Sequence, residues 1–280
     1  MKQRVEIART LSAEYPVRSL CRLLGIGRSS VLYEGKQKQD HEELKRAIFF
    51  FLNAKPDAGV RYMYEMLRRH QVECSRAQVR RIYEEEGLLG KKPQKRLVCT
   101  DSRHGHPVYP DLVKGLEITG PDHVWATDVT FLRVRRHWAY LDLLLDVFSR
   151  EIVGWSVGGS NDALLCSFAL EGALLHRKPE IHHSDQGRPY ASKLYTGLLE
   201  KNGIRISMSR SGSPWDNGHA ERMNKTFKYE EAFRNEYRTI AEAREAVASF
   251  VELYNHGRIH SSLDYYTPAE FCEMHKPLEG

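Results

Sequence analysis

The sequence predicts an α/β protein, in which helices flank a mixed β-sheet and an all-helical region precedes it. From position 123 onward, segments typical of strands and of helices alternate, in the order three strands, helix, strand, helix, strand and further helices. Before position 90, apolar residues recur instead at the spacing of amphipathic helices. The chain is therefore expected to contain two structurally different parts.

The first three segments of the predicted sheet are rich in Val, Leu, Trp, Phe and Tyr, and turn residues separate them. Strands are expected at 124–134, 138–148, 151–157, 180–184 and 204–208, and helices at 162–175, 192–201 and 239–257. In the first of these helices, the apolar residues expected to form one stripe are Leu164, Leu165, Phe168, Ala169, Ala173 and Leu174.

The composition argues against several classes of protein. No run of apolar residues is long enough for a membrane-spanning helix, and the segment 1–11 lacks the hydrophobic region of a signal peptide. The five cysteines are dispersed without a CxxC pair, which is typical of reduced thiols and argues against structural zinc. We therefore expect a cytoplasmic protein without a zinc site.

Charge is distributed unevenly along the chain. The net charge is +5, but residues 1–100 hold 21 Lys and Arg against 12 Asp and Glu, a net of +9, and residues 101–280 have a net charge of −4. A basic first third suits a region that binds a polyanion, and an acidic remainder suits a domain that gathers carboxylates for metal. A solvated basic surface is the alternative, so composition alone does not establish nucleic-acid binding.

Residues 1–35 match the pattern of a helix-turn-helix motif. Apolar residues at helical spacing in 17–24 are followed by a glycine turn, Gly25-Ile26-Gly27, and then by a second helical segment. The first residues of the second helix face DNA in such motifs. The candidate DNA contacts are therefore Arg28, Ser29 and Ser30, whereas a plain helical hairpin is the alternative interpretation.

Four further regions are expected along the chain. Residues 36–90 should form amphipathic, arginine-rich helices that bind DNA, with Ser75 as the N-cap of one of them. Residues 91–121 form a basic linker that prolines interrupt, 122–235 hold the predicted sheet, and 236–280 form a C-terminal helix and tail.

Three acidic residues stand where metal chemistry would require them. Asp128 lies in the middle of an apolar strand, where an unpaired carboxylate is costly. Asp185 follows a short strand, at the end where ligands gather in open α/β sheets. Glu221 lies one turn inside a helix that Asp216 is expected to cap. Taken singly, each acid is more often a cap, a salt-bridge partner or a solvated charge.

Together, the three acids predict a divalent metal site. Two strands and a facing helix can bring Asp128, Asp185 and Glu221 to one point, and carboxylate oxygens suit Mg²⁺ or Mn²⁺. Two such ions about 4 Å apart can activate an attacking hydroxyl and stabilise the leaving oxygen of a phosphodiester. We expect the three acids to be both the catalytic residues and the ligands of two Mg²⁺ ions, which Mn²⁺ can replace. Asp142 and Asp146 are expected to have structural or outer-shell roles.

Basic residues surround Glu221 in the sequence. Lys225 and Lys228 follow it by four and seven residues, which puts all three on one helical face. Arg210, with Ser211 and Ser213, precedes the helix. We expect Lys228, Lys225 and Arg210 to bind DNA beside the metal, although a surface Glu–Lys pair is the alternative for Lys225.

Several motifs carry a resemblance to a known family. They are Trp-Ala-Thr-Asp-Val-Thr at 125–130, His-Ser-Asp-Gln-Gly at 183–187, and Ser-Arg-Ser-Gly-Ser-Pro-Trp-Asp-Asn at 209–217 followed by Glu221. Thirty-five residues separate Asp185 from Glu221, Lys228 follows, and residues 254–271 and the N-terminal helices add further matches. The chain resembles the OrfB-type insertion-sequence transposases of the IS3 family, DDE transposases with a retroviral-integrase-like core. Phe131, where Tyr is frequent, and Gly187-Arg188-Pro189-Tyr190 depart from the family pattern without affecting an acid.

The resemblance implies a fold, an activity and partners. It implies a ribonuclease-H-like sheet, and DNA strand cleavage by water followed by attack of a DNA 3′-hydroxyl at insertion-sequence ends. It implies binding to double-stranded DNA of these ends and of the target, as a homo-oligomer, in a bacterial cytoplasm and associated with the nucleoid. It also implies an upstream OrfA-type protein or fusion that carries a leucine zipper, since no zipper heptads occur here.

Two other functions remain open from the sequence. One is a ribonuclease-H-type nuclease that cuts DNA but does not join it. The other is a DNA-binding regulator whose catalytic acids are relics. The intact acids and the position of Glu221 favour the transposase.

Overall fold

The structure is a computed structural model that describes residues 2–32, 41–89, 105–210 and 214–276. The chain divides near position 90 into two compact units, here called the N-terminal unit and the sheet unit. Among the described helices, none combines the length and the apolar character that crossing a membrane requires.

The N-terminal unit begins with three short helices, α1 (Lys2–Leu11), α2 (Val17–Leu24) and α3 (Arg28–Leu32). Gly25 ends α2 in the left-handed conformation, with φ of 62°, which glycine adopts without steric cost. The buried residues of this three-helix core are Ala8, Leu20, Cys21 and Val31. The two helices and the glycine turn of the predicted motif are therefore present, and α1 is an additional helix that packs on both.

Three longer helices follow in the same unit, α4 (His41–Ala54), α5 (Val60–Arg69) and α6 (Arg76–Glu85). Ser75 caps α6 as predicted, because its side chain accepts a hydrogen bond from the Gln78 backbone while the Gln78 side chain accepts one from Ser75. Met63, Leu67, Val79 and Ile82 are among the fully buried residues of this second helical core.

The sheet unit is built on five strands, β1 (Val124–Val134), β2 (His137–Asp146), β3 (Ile152–Gly158), β4 (Ile181–Ser184) and β5 (Arg205–Met208). Their order across the sheet is β3-β2-β1-β4-β5. The first three strands are antiparallel, whereas β4 and β5 run parallel to β1. This arrangement confirms the predicted mixed sheet.

Helices cover both faces of this sheet. On one face, α7 (Ala163–Leu174) and α8 (Lys193–Lys201) bury an apolar core with Trp125 and Leu144. On the other face, α9 (Gly218–Phe227) and α10 (Ile240–His256) pack against alternate residues of β1 and β2. The last helix is α11 (Pro268–Met274), which contacts α10.

The segment that leads into β1 also packs on the sheet unit. Leu112, Val113, Leu116 and Ile118 cover the buried residues at the start of β1 and β4. Part of the predicted linker is thus attached to the sheet unit, and the five-part division of the chain stays a prediction.

The apolar stripe predicted for α7 is partly wrong. Leu165, Cys166, Ala169 and Ala173 are buried, whereas Leu164 and Phe168 are 55% and 61% exposed. The reason is a close approach of α7 to β3 at Gly154, where an added Cβ would lie 2.5 Å from the carbonyl oxygen of Ala169. At this contact the helix therefore turns Ala169 and Ala173, and not Phe168, toward the sheet.

We expect Gly154→Ala to lower the free energy of unfolding of the sheet unit by about 1–2 kcal/mol, because the added methyl group overpacks the interface between β3 and α7. Denaturant unfolding followed by tryptophan fluorescence measures this change, since all four tryptophans lie in the sheet unit. Gly172→Ala on the exposed side of α7, where an added Cβ meets nothing within 4 Å, is the control and should leave stability equal or higher. An equal loss in both variants would contradict the close approach.

Candidate active site

The candidate site lies along β1, just beyond the residues that pair with β4. Strand β4 pairs with β1 only from Val124 to Ala126, and Ala126 is opposite His183. Two residues further along the parallel register, Asp128 of β1 and Asp185 after β4 reach corresponding positions. Parallel strands keep this register over short distances, so the two acids meet at the open edge of β1.

The turn after β4 holds the Asp185 side chain. The Gly187 backbone donates a hydrogen bond of 2.8 Å to Oδ1 of Asp185. A Cβ at Gly187 would lie 2.7 Å from the same oxygen, so the turn requires glycine for this close approach. Three residues later, the Tyr190 hydroxyl donates to Oδ1 of Asp142 at 2.6 Å and ties the turn to the sheet.

Helix α9 presents Glu221 to the same edge of β1. Two asparagines dock this helix on backbone carbonyls of β1. Asn217 Nδ2 donates to the Thr127 carbonyl at 2.9 Å, and Asn224 Nδ2 donates to the Asp128 carbonyl at 3.1 Å and to its Oδ2 at 3.0 Å. Glu221 follows Asn217 by four residues and precedes Asn224 by three, so all three share the helix face toward β1.

The three acids influence each other electrostatically. Burial, followed by the charge of Asp185, raises the pKa of Asp128 to about 8, with smaller contributions from Asp142 and Glu221 against a lowering hydrogen bond from Asn224. Burial and the charge of Asp185 also raise the pKa of Glu221. Repulsion of this kind arises when carboxylates share one neighbourhood.

The acids share this neighbourhood without forming a closed ligand set. Among the residues that the structure describes, no group of three or more His, Cys, Asp or Glu side chains is close enough to hold one metal ion. The backbone therefore brings together Asp128, Asp185 and Glu221, whereas their oxygens do not converge on a single point.

Of the two predicted lysines, Lys228 lies beside Asp128. It opens the π-helical turn Lys228–Ala232 after α9, and its Nζ is 4.3 Å from the centre of the Phe131 ring. Burial lowers the pKa of Lys228, and the Asp128 carboxylate opposes this shift. Lys225 is exposed on α9.

The expectation for Asp216 needs correction. Asp216 does not cap α9, because the residue before the helix is Asn217, whose side chain makes no capping hydrogen bond. Instead, a short 3₁₀ turn precedes α9, and Arg210 Nε holds the Asp216 carboxylate at 3.0 Å. Arg210 is half-exposed and engaged in this ion pair. Ser211 and Ser213 lie outside the described residues.

The remaining predicted DNA contacts belong to the N-terminal unit. Arg28, Ser29 and Ser30 form the first turn of α3, where Arg28 and Ser29 are exposed and Ser30 is half-buried.

Sequence reasoning missed the two asparagines that dock α9. The signal was present, since Asn217 and Asn224 flank Glu221 at helical spacing, but only the neighbouring strand reveals what they bind.

Asp142 is fully buried on the opposite face of the sheet, where it accepts hydrogen bonds from Thr127 and Tyr190. Burial raises the pKa of Asp142 to about 6. Asp146 is also buried and accepts backbone hydrogen bonds from Asp122 and Ser149.

Comparisons with known proteins agree with this geometry. The family described as integrase core domain matches residues 118–214 and, in a second form, 202–268, and the family described as HTH-like domain matches 38–96. The mixed sheet and the integrase-core match confirm the ribonuclease-H-like fold expected from the resemblance.

Three relatives match over nearly their whole length. A 31 kDa protein of insertion element IS600 from Shigella sonnei is 31% identical over 92% of this chain and 99% of that protein. The transposase of insertion sequence IS629 from Shigella sonnei is 30% identical over 93% of this chain and 92% of its own. Transposase InsF of IS3A from Escherichia coli K12 is 28% identical over 92% and 94%.

Proposed function

Because this chain belongs to the IS3 family of insertion-sequence transposases, we propose that Asp128, Asp185 and Glu221 are its catalytic residues. The chain is a DNA transposase of the polynucleotidyl-transferase class, and it acts on DNA with divalent metal. One observation supports this assignment above all. Asp128 and Asp185 occupy corresponding positions in the parallel register of β1 and β4, and α9, which carries Glu221, packs on the same edge of β1.

The three acids fit a pair of Mg²⁺ ions as the metal of this site. Carboxylates are the hard oxygen ligands that Mg²⁺ and Mn²⁺ prefer. Burial and mutual repulsion raise the pKa of Asp128 and of Glu221, and cations that bind between the acids relieve the repulsion. Divalent ions bound to these acids would activate the attacking hydroxyl and stabilise the leaving oxygen.

The protein groups prepare the site for this chemistry. Asn217 and Asn224 keep α9 on β1, so Glu221 faces the other two acids. The hydrogen bond from Gly187 orients Asp185. Lys228 contributes a positive charge beside Asp128, where it can hold a DNA phosphate in line with the acids.

The partners follow from the family and from the remaining contacts. We propose that the chain acts on double-stranded DNA of its own insertion-sequence ends and of the target as a homo-oligomer. The first residues of α3, with Arg28 and Ser29 exposed, are proposed to read one segment of this DNA. An OrfA-type upstream protein or fusion is proposed to supply the zipper that the sequence lacks.

An end-joining assay tests the proposed function directly. Duplexes that carry the terminal inverted repeats flanking this reading frame are incubated with target DNA and Mg²⁺ or Mn²⁺, with and without the upstream protein. We expect both a cut strand and a joined product. Cutting without joined product under every condition would favour a ribonuclease-H-type nuclease, and DNA binding without either product would favour a regulator.

We expect Lys228→Ala to weaken the binding of DNA ends and to reduce the salt dependence of binding by about one unit of slope, because one phosphate contact is lost. Dissociation constants measured over a series of salt concentrations give this slope. Lys201→Ala, which removes an exposed lysine at the end of α8, is the matched control and should keep the wild-type slope. An unchanged slope for Lys228→Ala would remove Lys228 from the DNA contacts.

A further inference from the structure

The β1–β2 hairpin carries an exposed aromatic and cationic surface, here called the hairpin surface, formed by Arg133, Arg135, Arg136 and Trp138. All four residues are exposed, and the Trp138 side chain is 51% accessible. About half of the Trp138 side chain is therefore accessible to another molecule.

The hairpin surface is continuous with the candidate active site. Lys228, beside Asp128, lies over the Phe131 ring, and Phe131 meets Trp138 edge to face with ring centres 5.0 Å apart. The Arg133 guanidinium also lies over the Trp138 ring, 5.0 Å from the ring centre. A row of alternating cations and rings therefore leads from Lys228 to the tip of the hairpin, where Arg133 and Trp138 lie on the face of β1 opposite to Asp128.

The charge of the hairpin surface contrasts with its surroundings. Residues 101–280 have a net charge of −4, yet three arginines lie within four positions at this tip. In the described part of the chain, no ion pair engages Arg133, Arg135 or Arg136. Cations that no carboxylate neutralises are suited to phosphate.

The backbone of the tip is held firmly in a conformation that is unusual for arginine. Arg135 has a φ of 50°, in the left-handed region that side chains other than those of Gly, Asn and Asp rarely adopt. Its backbone nitrogen donates to the Tyr237 carbonyl at 2.9 Å, and Arg133 Nε donates to the Arg135 carbonyl. The three arginines therefore project from a turn that these two hydrogen bonds hold in place. Backbone conformations that are unfavourable for a residue type occur most often at functional sites.

We propose that the hairpin surface binds DNA about five nucleotides from the reacting phosphodiester, with arginines on phosphates and Trp138 as the platform for an unpaired base. Five residues of strand separate Asp128 from Arg133, roughly 17 Å, which corresponds to about five nucleotides at 3.4 Å each. Aromatic rings beside cations are the combination that binds unpaired strands. This proposal rests on the proposed function, because its distance is counted from the bond that the three acids cut.

The test compares variants of the full chain in binding assays with Ca²⁺ and no chemistry. One variant is Arg133→Gln/Arg135→Gln/Arg136→Gln. The charge-matched control is Lys193→Gln/Lys201→Gln/Arg205→Gln, which changes exposed residues of α8 and the start of β5. The DNA probes carry the element end with neutral methylphosphonates in place of the phosphates four to six nucleotides from the cleaved bond, on either side.

We expect the hairpin variant to bind unmodified DNA on the order of 100-fold more weakly and with a salt slope lower by two to three units. Methylphosphonates should weaken wild-type binding several-fold and leave the hairpin variant unaffected, because the contacts are already gone. Equal losses in the control variant, or wild-type affinity and slope in the hairpin variant, would overturn the proposal. In either case, normal end joining by wild type leaves the proposed function standing.

A second arm tests the platform. Trp138→Ala should bind a probe with unpaired bases at this position about tenfold more weakly and a fully paired probe within about twofold of wild type. Trp138→Phe keeps a ring and should recover most of the loss, and circular dichroism reports whether each variant is folded. An equal loss on both probes, or none, would overturn the role of Trp138.

Discussion

Asp128→Asn, Asp185→Asn and Glu221→Gln are each expected to lower the rate of DNA end joining by at least about 1000-fold while the affinity for DNA ends changes little. Each substitution keeps the shape of the side chain and removes one negative charge from the metal ligands. Losing a ligand of ions that stabilise both the attacking and the leaving oxygen costs several kcal/mol in the transition state, and about 4 kcal/mol corresponds to this factor.

The measurement is a single-turnover joining assay with labelled ends, paired with a gel-shift titration of the same variants. Asp146→Asn changes a buried acid of the same sheet that is bound by backbone groups and serves as the control, provided that its fold is verified. Joining at a wild-type rate in any one of the three site variants would remove that acid from the site. Loss of DNA binding in parallel with joining would point to a structural defect instead.

In the absence of metal, Asp128 is expected to destabilise the sheet unit as the pH rises. Its pKa in the folded protein is about 8, against 3.8 in the unfolded chain, because burial and the Asp185 charge disfavour the ionised form. A group whose pKa is raised on folding contributes stability that is complete below pH 4 and is lost as the pH rises through 8. A shift of this size corresponds to at most about 6 kcal/mol, which solvent screening of the half-buried group reduces to about 2–3 kcal/mol.

We therefore expect Asp128→Asn to be more stable than wild type by about 2–3 kcal/mol at pH 8.5 in EDTA, and the difference to vanish near pH 4. Mg²⁺ at millimolar concentration should raise the stability of wild type at pH 8.5 and have little effect on Asp128→Asn, because the ion binds only the folded site. Urea unfolding followed by tryptophan fluorescence reports the sheet unit alone. The same pH slope and the same Mg²⁺ effect in both proteins would contradict a metal site at Asp128.

The elements of the fold were largely accessible from local patterns. Strand β1 runs from Val124 to Val134 as predicted, because its β-branched and aromatic residues leave little choice of conformation. Helix starts were also visible, since Ser75 and Thr239 stand before helices and their side chains accept the hydrogen bonds of caps. Each of these features depends on residues within a few positions of one another.

Features that depend on distant parts of the chain were not predictable in the same way. Asp216 has the residue type of a cap, but Arg210 binds its carboxylate and the helix begins after Asn217. On α7, Phe168 is more apolar than Ala169, yet the approach of Gly154 selects the alanine for the interface. In both cases a contact with another segment outweighs the local preference.

The three acids show most clearly what the local sequence determines and what only the tertiary structure decides. Residue types and spacing along the chain were enough to propose Asp128, Asp185 and Glu221 as candidates. An apolar strand surrounds Asp128, a strand end precedes Asp185, and a family pattern includes all three. Their meeting depends on the pairing of β4 with β1 and on the asparagines of α9, which bind carbonyls about 90 residues away. Local patterns reflect hydrogen bonds and burial among neighbours, whereas the register of a sheet and the docking of a helix are chosen by the packing of the whole unit.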